Sequence, residues 1–416
     1  MKKHDILEKA KKTYELLAAD PAVLGQTRQA AALIEKLEKK DITVSIIGQF
    51  KRGKSSLSNK ILEDEILPVG IVPITSAVTK VVYGKRAAEV HFFNGVVEEI
   101  PFDRLSEFIS EQENSDNRLG VESVVLRTPS KFLKHGLTFV DTPGVGSFHK
   151  NNTETAYHYM KESDAVIFLL SVDSPINQIE IDFLQSAREF AGKFYFAVNK
   201  TDIVGEADLT AYMDYCGKLL CHMMQVEEIA MFPVSARTGD GIEALKKAIL
   251  RDYKKSAEEI LTQSAEKKLR DVINSALIQL DFYWKAMNME YKELDERFAA
   301  VSNTVEEIKA SAADIDCLFE IHLNEMKLEL SQKVKELFGM EYRYVIEELP
   351  AGLVQMNKID FLKQVDALCS DLEKTLSGIL LYREENAYAV VRRINGINKL
   401  SRSLRKIRDD LTGCSV

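Results

Sequence analysis

The chain has 416 residues, enough for about two or three domains, and a 45% hydrophobic fraction that supports real cores. A formal net charge of −9 argues against general nucleic-acid binding, which leaves a basic footprint. No stretch reaches the roughly 18 apolar residues needed to span a bilayer, and the charged N-terminus lacks the apolar core of a signal peptide. The expected setting is therefore cytoplasmic, with any membrane contact peripheral and at the inner face.

The five cysteines are Cys216, Cys221, Cys317, Cys369 and Cys414. Their number is odd and no pair has zinc-knuckle spacing, so they read as reduced structural thiols.

Residues 6–39 read as helical, rich in Ala, Leu, Lys and Glu, with Pro21 and Gly25 as expected interruptions. Short β-branched or aromatic runs then recur at 42–47, 77–83, 121–127, 137–140, 165–170, 194–198 and 229–234. Helical patterns separate several of them, the signature of a doubly wound α/β fold. Residues 89–100, centred on Asn94-Gly95, read as a hairpin on a type I′ turn.

The first apolar run leads into Gly48-Gln49-Phe50-Lys51-Arg52-Gly53-Lys54-Ser55, which fits G-x-x-x-x-G-K-[ST] and precedes a helical pattern. In that context backbone N–H groups close around phosphates at a helix N-terminus. Gln49, Phe50, Gly53, Lys54, Ser55 and Ser56 are the expected phosphate-side contacts. Lys54 reaches the β- and γ-phosphates and the Ser55 hydroxyl ligates Mg²⁺. Within residues 68–79, Thr75 is the expected threonine over Mg²⁺ and the γ-phosphate, with Thr79 the alternative. Asp141-Thr142-Pro143-Gly144 follows the run at 137–140. Its carboxylate is placed to hold Mg²⁺ through water, and the Gly144 N–H to meet the γ-phosphate.

Asn199-Lys200-Thr201-Asp202 follows the run at 194–198. The Asp202 carboxylate can accept two hydrogen bonds from guanine N1 and N2, a donor pair adenine lacks. The Lys200 stem would lie along the base. Ser235-Ala236-Arg237 would bring a backbone N–H to the guanine O6. GTP, GDP and Mg²⁺ are thus the expected ligands.

The last part of the chain reads as long helices. Eight of the nine prolines lie at or before Pro233. Pro350 and Gly352 mark a hairpin at residues 347–356, whose tip carries Leu349, Leu353, Val354 and Met356. The spacing of Val390, Ile394, Ile397, Leu400, Leu404, Ile407 and Leu411 puts them on one helical face. Arg392, Arg393, Lys399, Arg402, Arg405, Lys406 and Arg408 lie opposite. That face reads as the solvated side of a bundle helix or as a surface for acidic lipid or an acidic partner.

With these motifs in place, the chain resembles a bacterial dynamin-like GTPase. The likeness rests on GQFKRGKSSL from Gly48, LPVGIVPITSAVT from Leu67 and DTPGVGSFHKNNTET from Asp141. It rests also on SDAVIFLLSVDSPINQIEIDFL from Ser163, NKTD at Asn199 and SARTG at Ser235. It implies a GTPase domain at 41–253 with a mixed, mostly parallel sheet. Helices from 1–40 and 254–416 would form a bundle or stalk. It further implies dimerisation across the nucleotide face, with a second copy or a dynamin-like paralogue, and bundle movement that remodels or tethers membranes. Two departures stand out. The helical part is short for a complete stalk with a membrane paddle. Phe50 and Lys51 replace the Gln-Ser pair of eukaryotic dynamins, and Lys51 sits where atlastins and guanylate-binding proteins carry an internal arginine finger.

No side chain matches the water-positioning Gln of Ras-like GTPases. The expectation is that Lys51 or Arg52 supplies charge at the transition state and Thr75 orients the water. Two other functional readings compete: a regulatory switch whose helices bind a protein partner, and a nucleotide-gated scaffold that barely hydrolyses GTP. No nucleic-acid module is expected.

Overall fold

A computed structural model describes residues 3–49, 51–69, 78–92, 96–109, 113–114, 119–134, 136–142, 160–315, 319–342, 344, 358–385 and 389–412. Phe50, Thr75, Gly144, the Asn94-Gly95 turn and the hairpin at 347–356 lie outside the described residues.

Among the described residues nine strands form one sheet. They are β1 Ile42–Ile47, β2 Val78–Tyr83, β3 Ala87–Phe92, β4 Val97–Ile100, β5 Val121–Thr128, β6 Leu137–Asp141, β7 Ala165–Ser171, β8 Lys193–Asn199 and β9 Met231–Pro233. Their order is β4-β3-β5-β2-β6-β1-β7-β8-β9. The run β6-β1-β7-β8-β9 is parallel throughout. β2 meets β6 antiparallel, and β3 with β4 forms the expected antiparallel hairpin. The sheet is thus mixed and mostly parallel.

β7 is buried at all seven positions, as a central parallel strand covered on both faces must be. Its Val166, Phe168 and Leu170 share a core with Phe183 and Leu184 of α5 (Gln178–Arg188) and Cys216 and Leu220 of α6 (Glu206–Met224). The edges differ. β4 exposes Val97, Glu98 and Glu99, and β9 is three residues long and ends in Pro233.

Among the described residues the other α-helices are α1 Lys3–Ala18, α2 Leu24–Lys39, α3 Lys54–Leu62, α4 Ser106–Ile109, α7 Ile242–Asn288, α8 Tyr291–Asp314, α9 Phe319–Phe338, α10 Lys358–Glu385 and α11 Val390–Thr412. Gly25 lies inside the first turn of α2 rather than breaking it. The interruption falls at Asp20–Val23, where Asp20 Oδ1 accepts from Ala22 N at 3.0 Å and caps a 3₁₀ turn opening on Pro21. Non-helical torsions at Ser256 kink α7.

The chain divides into two compact units. The sheet unit is built on Lys36–Lys267, and the helical unit on His4–Glu35, Lys268–Leu349 and Gln355–Val416. In the helical unit, Leu294, Val301, Val305 and Ile308 of α8 recur at helical spacing. They pack with Leu330, Val334 and Phe338 of α9 and Phe361, Val365, Leu372 and Leu376 of α10. The α11 stripe turns inward at Ile397, Leu400, Leu404, Ile407 and Leu411. On its basic face Arg393 forks onto both Asp20 oxygens at 2.7 Å, and Arg405 meets Asp281. Arg392, Lys399, Arg402 and Lys406 are exposed.

Candidate nucleotide-binding site

The segments singled out by motif all follow the carboxyl ends of neighbouring parallel strands: 48–55 after β1, 141–142 at the end of β6, 199–202 after β8 and 235–237 after β9. The crevice at that end is where open α/β sheets take their ligands.

The phosphate loop turns on Gly53, which caps α3 with φ +89°. A Cβ there would lie 2.5 Å from Asn199 Nδ2, so both torsion and space demand glycine. The first turn of α3 follows directly on Gly53 with no side-chain cap, and a helix N-terminus favours anions. Lys54 is buried, and its ammonium donates to the carbonyls of Gly48 (2.9 Å) and Gln49 (3.2 Å). Burial pushes its pKa down to about 8 against the pull of Asp141 and Glu180. Ser56 sits half-buried one residue beyond Ser55 in the same turn.

Asp141 closes β6 against α3. Its Oδ2 accepts from Ser55 Oγ at 2.7 Å and its Oδ1 from Ser58 Oγ at 3.1 Å. Burial raises its pKa, while the two hydroxyls and Lys54 oppose the rise. Ser58 is a site neighbour that the motif spacing did not reveal. Ser55 and Asp141 together offer hard oxygen donors beside the phosphate loop, the chemistry Mg²⁺ takes. Thr79 is fully buried in β2, directly opposite Asp141 in the ladder.

Asn199 is buried and works on the protein itself. Its Nδ2 donates to Arg52 O at 2.8 Å and its Oδ1 accepts from Ala236 N at 2.9 Å. Asp202 accepts from Ser235 Oγ at 2.5 Å on Oδ1, and its Oδ2 pairs with Arg237. The Ser235 bond is the chief cause holding the Asp202 carboxyl below its ordinary range. Lys200 adopts left-handed torsions (φ +62°), and its ammonium meets Asp173 Oδ2 at 2.6 Å.

Arg52 corrects the sequence expectation. Its guanidinium is only 2% exposed. It forks onto Glu180, with Nε to Oε1 at 2.9 Å and Nη2 to Oε2 at 2.7 Å. It also donates to the carbonyls of Ser171, Ser174 and Pro175. With its donors committed inside the fold, Arg52 is withdrawn from the catalytic cations. Lys51, at φ +67°, is exposed. Glu180 carried one visible signal, the Asn177-x-x-Glu180 capping box that opens α5.

The pattern defining the Dynamin family matches residues 44–202, which contain the loop, Asp141 and Asp202. A protein of Caldicellulosiruptor sp. (strain Rt8B.4), described only by its place in the xynA 3′ region, is 29% identical over 83% of this chain and 90% of its own length. Dynamin-like protein 1 of Campylobacter jejuni is 22% identical over 68% of this chain, and the match spans 44% of that protein. The chain therefore covers less than half of that dynamin-like relative. Among solved structures, one of an oligomerised bacterial dynamin pair superposes with a TM-score of 0.50 at 16% identity. That match covers 97% of this chain and 81% of that one. Among the described residues no helix is long and apolar enough to cross a membrane. The family match lies on the same strands and loops that build the crevice, and residues 44–202 carry a dynamin-type GTPase segment similar to those of bacterial dynamin-like proteins.

Proposed function

We propose that this GTPase works with Mg²⁺, dimerises across its nucleotide face and couples hydrolysis to movement of its helical unit in membrane remodelling or tethering. The observation that carries the nucleotide part is the convergence of Lys54, Ser55, Asp141 and Asn199 on one crevice. Ser55 would ligate Mg²⁺ directly and Asp141 through water, and the bound ion would neutralise charge on the β- and γ-phosphates. Thr75 would complete that shell and orient the attacking water. The water oxygen bonds to the γ-phosphorus as the bridging P–O bond to the β-phosphate breaks, giving GDP and phosphate.

Lys54 holds the β- and γ-phosphates, and Gly53, Gln49, Phe50, Ser56 and Gly144 surround them. Lys51 supplies the additional positive charge as the bridging bond breaks. Asp202 reads guanine N1 and N2, Lys200 lies along the base, and the Ser235-Ala236-Arg237 backbone faces O6. Alanine at Lys51 tests the charge assignment. Turnover should fall with nucleotide affinity retained, and unchanged turnover would remove Lys51 from the mechanism.

The membrane reading is supported by the exposed Arg392, Lys399, Arg402 and Lys406 of α11 and by the likeness in fold to the solved bacterial dynamin pair, which serves the long-range sensing and tethering of membranes. Co-sedimentation with anionic and neutral liposomes tests it. Binding to anionic liposomes that is lost when these four residues become Glu supports the reading. Equal sedimentation with and without anionic lipid favours a switch acting on a protein partner.

A further inference from the structure

Between β7 and α5 runs a segment that carries none of the nucleotide motifs, yet both halves of the site are fastened to it. Glu180, fully buried in the first turn of α5, takes the Arg52 fork from the phosphate loop. Asp173 takes the ammonium of Lys200 from the guanine element. Ser171 joins the two. Its Oγ donates to Asp173 Oδ1 at 2.5 Å and accepts from Arg52 Nη1 at 3.1 Å. Tyr212 OH donates to the Ser171 and Ser174 carbonyls and holds the segment from α6. Lys200 and Arg52 would otherwise be long side chains with wide rotamer freedom, and each is fixed at its far end by one carboxylate.

We propose that residues 171–180 are a positioning element of the nucleotide site. Asp173 sets the Lys200 stem for the purine face, and Glu180, through Arg52, sets the curvature of the phosphate loop. The first half rests on the reading of Lys200 as a base contact. The two carboxylates act on different parts of the ligand. Loss of Asp173 weakens recognition of the base alone. Loss of Glu180 weakens recognition of the phosphates, with or without a base.

Calorimetry on the full chain with Mg²⁺ separates these effects, using GDP and inorganic tripolyphosphate as probes. Asp173 is on the surface, so Asp173→Asn should fold like the parent. The variant should bind GDP about tenfold more weakly, since the lysine must then be ordered on binding, with tripolyphosphate affinity unchanged. Glu180→Gln should weaken both probes. Glu180→Asp, which keeps the charge and shortens the reach, serves if the Gln variant does not fold. Parental GDP affinity in Asp173→Asn, beside weakened GDP binding in Lys200→Ala, overturns the Asp173 assignment. So does equal weakening of GDP and tripolyphosphate by Asp173→Asn. If Lys200→Ala itself binds GDP like the parent, the base-contact reading falls, and the Asp173 assignment with it. A folded Glu180 variant with parental tripolyphosphate affinity overturns the second half.

Discussion

Asn199 and Arg52 are joined side chain to backbone, Asn199 Nδ2 donating to the Arg52 carbonyl across 147 positions of sequence. The same amide accepts from Ala236 N. One side chain thus ties the phosphate loop to the loop after β9, and Gly53 is the residue that lets it approach.

Replacing Asn199 by Ala should therefore damage more than base selection. It removes two buried hydrogen bonds and strands their partners, a cost of about 2–4 kcal/mol. Chemical denaturation should show that loss. Calorimetry should show weaker binding of both GDP and tripolyphosphate, whereas a residue that met only the base would spare tripolyphosphate.

The Arg52–Glu180 pair is buried on both sides. Breaking it with Arg52→Met alone leaves an uncompensated carboxylate and should cost about 3–5 kcal/mol. Arg52→Met with Glu180→Met should recover most of that stability in urea denaturation. It should not recover nucleotide affinity, because the Pro175 carbonyl loses its Arg52 donor and those of Ser171 and Ser174 are left to Tyr212 OH.

Removing the Ser235 hydroxyl should change the acid limb of guanine binding. The bond from Ser235 keeps the Asp202 carboxyl low, so the carboxylate persists to lower pH in the folded parent. Its protonation, and the loss of guanine affinity with it, comes as pH falls through that depressed value. In Ser235→Ala the depression is relieved and affinity should fall at a higher pH. GDP titrations carried down through the ordinary aspartate range, to about pH 3, should show that displacement.

Thiol reactivity should sort by burial. Cys369 is fully buried in the helical core, and burial pushes its thiol up to about 12. Burial also raises Cys216. Cys221 is half-buried on α6. Alkylation near neutral pH, mapped by peptide mass spectrometry, should label Cys221 at least about tenfold faster than either. Comparable labelling at Cys369 would indicate that the helical core opens readily.

Much of the site was legible because its signals are local. A phosphate loop is a strand, a glycine turn and a helix start within about twenty residues, and Gly48, Gly53 and Lys54 carry those signals close together in sequence. Arg52 shows where that legibility stops. Its place in the loop gave a cation beside the phosphates, but its direction is set by Glu180, 128 positions away. A local pattern does not encode such a pairing. Asp173 and Ser58 were missed for the same reason, since each serves the site through a partner rather than a motif. Helix boundaries followed a similar rule. Gly25 is a weak helix former, yet α2 runs through it, while the Asp20 cap beside it is fastened by Arg393 from the far end of the chain.

The two ends of the sheet carry a further consequence. A strand arriving antiparallel on β4 would set its own acidic pair against Glu98 and Glu99 if it came from a second copy. On the other side, β9 offers a three-residue ladder closed by a proline without an amide hydrogen. Neither border is a template for runaway β-polymerisation. Copies of this chain crowded together can meet through folded surfaces without their sheets fusing into fibrils.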